Sequence, residues 1–163
     1  MRMSPSVGGP PPREVLPGGL IVGKHYFPAG IDIGTSHYAI HHNPAYYPDP
    51  FAYNPSRWLA SEVGADAVEK AQSAFCAFSL GPRGCIGKGV AYLELSDVLA
   101  RTVFLYDMRL KAGESLGEGK EGNEYGRHRV GEYQYVDRFT NTADGPIVEF
   151  RLAGGDGKGS AQT

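Results

Sequence analysis

A mixed α+β fold is what this sequence predicts, and three observations predict it. Short apolar runs with turn punctuation fill roughly residues 19–34. One long amphipathic pattern covers about Ile86 to Tyr106. Strand character returns between about 133 and 152. The 163 residues are about one domain by size. With 23 glycines and 12 prolines, the chain favours loops over further long helices. It still falls short of the roughly 25–30% Gly and Pro at which low complexity becomes the default.

From the start, Pro5, Pro10, Pro11, Pro12 and Pro17 exclude helix over residues 4–19 and favour extended or polyproline-like backbone. Leu20-Ile21-Val22 and His25-Tyr26-Phe27 flank the pair Gly23-Lys24, which fits a tight hairpin. A Pro28-Ala29-Gly30 turn leads to Ile31-Asp32-Ile33. Ser36 to His42 reads as a short helix that stops at Asn43-Pro44, because the residue before proline avoids the α region. Residues 44–58 are rich in proline and aromatics, so irregular backbone pinned by ring packing is expected. Ser61 to Gln72 reads as a short exposed helix or a mobile loop. Ser73 to Gly84 is an apolar approach to Cys85.

In the long helix, Leu95, Val98, Leu99, Thr102, Val103 and Tyr106 share one face, and Glu94, Asp97 and Arg101 share the other. Asp97 and Arg101 stand at i,i+4 spacing, where opposite charges pair. Residues 113–131 alternate glycine with charged residues and read as a solvated loop or insertion. Tyr133 to Leu152 reads as a terminal antiparallel hairpin. The segment 155–163 is predicted to be a disordered tail.

Charge and cysteines narrow the chemistry. A net charge of -2 does not point to nucleic acid or an anionic membrane as a partner. No run approaches the roughly 20 apolar residues of a membrane span, and no secretory signal pattern opens the chain. Two cysteines, Cys76 and Cys85, are too few for a structural zinc site or a disulfide framework. A Cys76–Cys85 disulfide is conceivable, but it would remove the thiolate at issue and is disfavoured in a reducing compartment.

The stretch richest in chemistry is Phe78-Ser79-Leu80-Gly81-Pro82-Arg83-Gly84-Cys85-Ile86-Gly87. A helix N-terminus or a bound metal lowers a thiol's pKa. Gly81, Gly84 and Gly87 let backbone approach a flat ligand and aim N–H groups at the sulfur. Arg83 supplies a forked cation for a carboxylate, and Phe78 a packing wall. The plain alternative is a small buried cysteine at a helix start. Against it, the stretch matches the haem-binding signature F-x-x-G-x-R-x-C-x-G position for position, immediately before an amphipathic helix.

The chain therefore resembles the C-terminal part of a cytochrome P-450, a haem-thiolate monooxygenase, in a loop-rich style similar to fungal members. The resemblance implies the C-terminal part of a mainly helical fold. Its parts would be short β-sheet segments, a meander, the cysteine-ligand loop, the long helix and a terminal β-hairpin. Residues 1–154 would form this haem-binding part, with 113–131 as an insertion. The resemblance also implies that Cys85 is the axial ligand of haem b iron and that Arg83 partners a haem propionate. Phe78 and Gly81 would form the proximal wall, and Ile86 and Gly87 would pack beneath the haem.

Other stretches agree. Tyr53-Asn54-Pro55-Ser56-Arg57-Trp58 resembles the meander motif F-x-P-E-R-W, with Ser56 at the usual acidic position. In the family, the arginine at Arg57 joins a triad with a Glu and an Arg from an upstream E-x-x-R helix. Arg2 fits that arginine, and the glutamate three residues earlier falls before Met1. Pro12-Arg13-Glu14 is similar to a segment whose arginine contacts a propionate, which makes Arg13 a cofactor-binding candidate. Ala39 to Pro44 is similar to the A-x-H-R-D-P segment, in which His41 is structural. His25, His37, His42 and His128 read as packing residues rather than ligands.

Several activities follow from the resemblance. Oxygen would enter a small organic substrate, with electrons from NADPH through NADPH–cytochrome P-450 reductase. The full-length parent would sit on the cytosolic face of the endoplasmic reticulum membrane through an N-terminal anchor. The distal helix that delivers protons to oxygen is not in this sequence. A non-catalytic haem-binding or structural fragment is the second expectation. A haem-thiolate isomerase, dehydratase or peroxygenase is the third.

Overall fold

The computed structural model describes residues 1–154, so the predicted tail 155–163 lies outside them. Contacts divide the chain into two units. The first is Met1–Leu80 with Val136–Thr142, and the second is Gly81–Tyr135 with Ala143 onward.

The first unit begins in proline-rich extended backbone. Strand β1 (Arg13–Glu14) pairs antiparallel with β4 (Asp32–Ile33). Between them, β2 (Leu20–Val22) and β3 (His25–Phe27) form a hairpin around Gly23-Lys24. Gly23 has φ 60°, the left-handed conformation that suits glycine in such a turn. Helix α1 (His37–His41) is capped by the Ser36 hydroxyl, which accepts from the Ala39 N–H at 3.2 Å. The meander closes in a 3-10 turn, Pro55–Trp58, where the Asn54 side chain accepts from the Ser56 N–H.

The segment 61–72, read as one helix or a loop, forms parts of two helices, α2 (Ala60–Val63) and α3 (Ala65–Ser73). The break is Gly64, at φ 86°. A positive φ lies off the helical path, so the chain turns there and restarts.

The core of this unit is small: Tyr47, Ala71 and Ala74, with Ile40 and Trp58 packed against them. Trp58 meets Phe75 edge-on at 5.7 Å, and Tyr47 lies 6.2 Å from Trp58. These ring contacts are the aromatic pinning expected of the meander.

In the second unit a 3-10 turn, Gly81–Arg83, precedes helix α4 (Lys88–Leu105). The helix starts two residues later than the sequence pattern suggests. It ends where Tyr106 opens strand β5 (Tyr106–Leu110). Asp97 and Arg101 pair at 2.8 Å, both well exposed. No residue of α4 is buried, so the apolar face read from periodicity is left largely uncovered among the described residues, with Tyr106 just past its end meeting Phe150 edge-on at 5.8 Å.

The expected hairpin over 133–152 is redrawn. A tight hairpin joins β6 (Val136–Arg138) to β7 (Thr140–Thr142), and these strands belong to the first unit. Strand β8 (Val148–Leu152) pairs antiparallel with β5 over five residues, Tyr106 opposite Leu152 and Leu110 opposite Val148. Cross-strand pairs Arg109–Glu149 and Asp107–Arg151, each at 2.8 Å, match opposite charges in that register. Residues 113–131 carry a bridge from Glu118 to Tyr133, and the Gly131 N–H donates to the Glu118 carboxylate at 2.7 Å.

Candidate functional site

The cysteine loop belongs mostly to the second unit. The Gly84 N–H donates to the Gly81 carbonyl at 2.9 Å, and the Lys88 N–H donates to the Cys85 carbonyl at 3.3 Å. Gly81 takes φ 66°, a conformation that disfavours a side chain. Cys85 is a free, exposed thiol just ahead of α4. Gly87 caps that helix, and a Cβ there would lie 3.8 Å from the Cys85 sulfur, an ordinary contact. Glycine at this place therefore leaves open space beside the sulfur. The N–H groups expected to point at the sulfur do not reach it: among the described residues none donates to Cys85 Sγ. Ile86 is fully exposed and presents a bare apolar side chain beside the cysteine. Arg83 is exposed and forms no ion pair among the described residues. Both cysteines are free, so the conceivable Cys76–Cys85 disulfide is not formed.

Phe78 and Arg13 lie in the first unit. Phe78 is half-buried. Arg13 is on β1, with its guanidinium donating to the Pro12 carbonyl at 2.7 Å. It lines a cavity of about 540 Å³ together with Phe27, Ile33, His37, Cys76 and Leu80. The lining is mostly apolar with one permanent cation, which suits an apolar ligand bearing a carboxylate. A smaller hollow lies between β5 and β8, lined by the exposed charge pairs already described, and those charges satisfy one another. Among the described residues no cluster of three or more His, Cys, Asp or Glu could hold a metal ion. A metal at Cys85 would need its other ligands from a cofactor.

Two buried arginines brace the first unit. Arg2 donates to the carbonyls of His41 and Pro50, both at 2.7 Å, and sits over the Tyr47 ring at 5.0 Å. Its guanidinium also contacts the Met3 sulfur. Arg57 donates to the carbonyls of Pro48 at 3.0 Å and Asn54 at 3.1 Å. Burial, and then the nearby charge of Arg57, hold Arg2 below the usual arginine range.

The histidines on α1 do more than the sequence suggests. His41 is fully buried, and its Nε2 accepts from the Cys76 N–H at 3.1 Å. Its ring stacks on Phe75 at 5.3 Å. His37 contacts the Val7 carbonyl through Nδ1 at 3.1 Å and the Ser79 hydroxyl through Nε2 at 3.5 Å. By sequence His41 reads as structural and His37 as a packing residue. The available signal was their i,i+4 spacing, which puts them on one helix face. His42 stays a packing residue, stacked on Tyr38 at 4.0 Å and on Phe51 at 4.8 Å.

Comparison with known proteins bears on the family and the fold. The family model described as Cytochrome P450 matches residues 1–124. The chain is 49% identical to cytochrome P450 monooxygenase AKT7 of Alternaria alternata, over 93% of this chain and 30% of that protein. It is 48% identical to cytochrome P450 monooxygenase apf7 of Gibberella fujikuroi, over 93% of this chain and 28% of that one. The chain thus spans under a third of the length of these relatives. Among solved structures, a zebra fish cytochrome P450 with abiraterone aligns over 93% of this chain and 30% of its own, with TM-score 0.66 and 22% identity. A cyanobacterial protein with bound retinoic acid aligns over the same shares, with TM-score 0.64 and 24% identity. These two likenesses show the fold. No helix among the described residues is long and apolar enough to cross a membrane. Taken with the cysteine loop and the meander, the match over residues 1–124 shows that this chain belongs to the cytochrome P450 family, an oxidoreductase family whose matched relatives are named monooxygenases.

Proposed function

We propose that this chain is the C-terminal, proximal part of a haem-thiolate monooxygenase in which Cys85 would hold the iron of haem b. The observation that carries the reading is the free, exposed Cys85 thiol just ahead of α4, at its place in F-x-x-G-x-R-x-C-x-G. The residues present fit the group: an unpaired thiol, glycine beside the sulfur and an exposed isoleucine next to it. Arg83 and Arg13 would hold propionates, and the apolar cavity with Arg13 on its lining supports the second of these. Phe78 and Gly81 would wall the proximal side, and Ile86 and Gly87 would pack beneath the ring. Residues 1–154 would make up this haem-binding part, with 113–131 as an insertion.

When bound, the haem would supply oxygen activation, with Cys85 as its thiolate donor, for insertion of one oxygen atom into a small organic substrate. NADPH would be the electron source, through NADPH–cytochrome P-450 reductase. The full-length parent would lie on the cytosolic face of the endoplasmic reticulum membrane, held by an N-terminal anchor. The CO-difference spectrum of the ferrous parent tests the ligand. A thiolate-shifted Soret band that Cys85→Ala abolishes is the expected result. A band without that shift, or one indifferent to the substitution, overturns the assignment.

A second reading concerns the 163-residue polypeptide by itself. Because no residue of α4 is buried, the isolated chain would be a non-catalytic fragment with weak haem affinity and a tendency to associate. Titration of the chain with haem tests this, and tight stoichiometric binding with NADPH-dependent turnover would refute it.

A further inference from the structure

Helix α1 is short, but it places two imidazoles one turn apart on the same face. Their proton positions follow from what they touch. A backbone N–H can only donate, so His41 Nε2, which faces the Cys76 N–H at 3.1 Å, carries no proton. The His41 proton therefore sits on Nδ1, which is buried and has no partner among the described residues. A backbone carbonyl can only accept, so His37 Nδ1, at 3.1 Å from the Val7 carbonyl, carries the proton. In a neutral ring His37 Nε2 is then an acceptor, and it faces the Ser79 hydroxyl at 3.5 Å. Two independent constraints, a fixed donor for one ring and a fixed acceptor for the other, demand the same tautomer.

The two acceptors grip opposite ends of one turn. The Ser79 N–H donates to the Cys76 carbonyl at 2.8 Å and closes it. Ser79 sits at φ 56°, a region that non-glycine residues hold only where their surroundings over-determine it. Cys76, Ser79 and His37 all line the cavity that holds Arg13. The turn also feeds directly into Leu80 and Gly81 along the chain.

We propose that His37 and His41 are positioning residues, a pair of neutral imidazoles whose Nε2 atoms clamp the turn Cys76–Ser79 and so set one wall of the cavity. The clamp goes beyond the cofactor reading and stands whether or not Cys85 binds iron. A proton on His41 Nε2 would point one N–H at another. Burial opposes that charge, and so do His37 on α1 and His42 just after it, while Arg2, Tyr47 and Cys76 close the other sides. Arg2 already donates to the His41 carbonyl, so a cation is in place on that side.

The test is ¹⁵N NMR on the full chain labelled at histidine, with amide exchange at Cys76. Both rings are expected to show a protonated Nδ1 and a bare Nε2 at neutral pH. His41→Phe keeps a ring against Phe75 but removes the acceptor, and His41→Gln restores an acceptor oxygen near the lost nitrogen. Exchange at Cys76 is expected to rise about tenfold in His41→Phe and to return to within about threefold in His41→Gln, the scale of one hydrogen bond. An Nε2–H tautomer or an unresolved tautomer average in either ring of the native chain overturns the clamp. So does unchanged Cys76 exchange in a folded His41→Phe. Should that variant fail to fold, the native tautomers decide.

Discussion

Arg2 and Arg57 converge on one acceptor, the carbonyl of Ala52, at 3.4 and 3.3 Å, and both guanidiniums are buried. Neither forms an ion pair among the described residues. Each is instead held by backbone carbonyls, a geometry that arginine's fork of five donors satisfies and lysine's single ammonium does not. Two like charges this close repel, but the carbonyl dipoles around them offset that repulsion.

The first prediction follows from the balance of those terms. Arg57→Ala strips a charged donor from the carbonyls of Pro48, Asp49, Ala52 and Asn54. It also relieves the repulsion on Arg2. Hydrogen bonds from a charged group contribute about 1.5–3 kcal/mol each, so losing several outweighs the relief. Arg57→Ala is expected to destabilise the chain by about 3 kcal/mol, and Arg57→Lys by nearly as much. Urea unfolding measures this, and an unchanged midpoint would show that the relieved repulsion cancels the lost hydrogen bonds.

Some of this was legible in the sequence and some was not. The loop around Cys85 stood out because its residue types recur at fixed offsets, and the β2–β3 hairpin because Gly23-Lys24 permits only a tight turn. The pairing of β5 with β8 was hidden. Nothing local to Val148–Leu152 names its partner, and Tyr106–Leu110 lies some forty residues away, so the nearer strand-like run looked like the match. The exposed α4 shows a related limit: periodicity tells which residues share a face but not whether anything covers it. The grip of His41 on Cys76 needed three dimensions, because a single histidine acceptor leaves no spacing rule with a backbone N–H thirty-five residues on.

Tyr47 tests the core of the first unit. Its hydroxyl donates to the Ala71 carbonyl at 2.8 Å, near the end of α3, where helix carbonyls lack intrahelical partners. Tyr47→Phe keeps the packed ring and leaves that carbonyl unsatisfied. The expected cost is about 1–2 kcal/mol in chemical unfolding. Burial also pushes the Tyr47 hydroxyl up to about 12. An unfolded tyrosine ionises near 10, so the stability it contributes is complete below that and is lost as pH rises towards 12. In a spectroscopic titration Tyr47 should ionise later than exposed tyrosines, and early ionisation would contradict its burial.

His41 sets the acid side. Burial, and next the neighbouring His37, push it down to about 4. An unfolded histidine binds its proton near 6.5, so between 6.5 and 4 the unfolded chain holds more protons than the folded one. The contribution is therefore fully present above 6.5 and disappears as pH falls through 4. It amounts to about 3 kcal/mol at neutral pH. Thermal or urea unfolding from pH 7 to pH 4 should show that fall, and His41→Gln should flatten this part of the curve. An equal slope in both proteins would show that other groups govern acid stability.

The two cysteines should separate in reactivity. Cys85 is exposed and open on the glycine side, whereas Cys76 is buried, with its sulfur 3.7 Å from His41 Nε2. Burial pushes the Cys76 thiol up, which lowers the fraction of reactive thiolate as well as access. Iodoacetamide at mildly alkaline pH should label Cys85 at least about tenfold faster than Cys76, since both factors act in the same direction. Peptide mass spectrometry resolves the two sites. In Cys85→Ala the native chain should resist labelling until denaturant exposes Cys76. Prompt labelling of Cys76 in the folded chain would mean that the turn Cys76–Ser79 opens readily, and would count against the packing around His41.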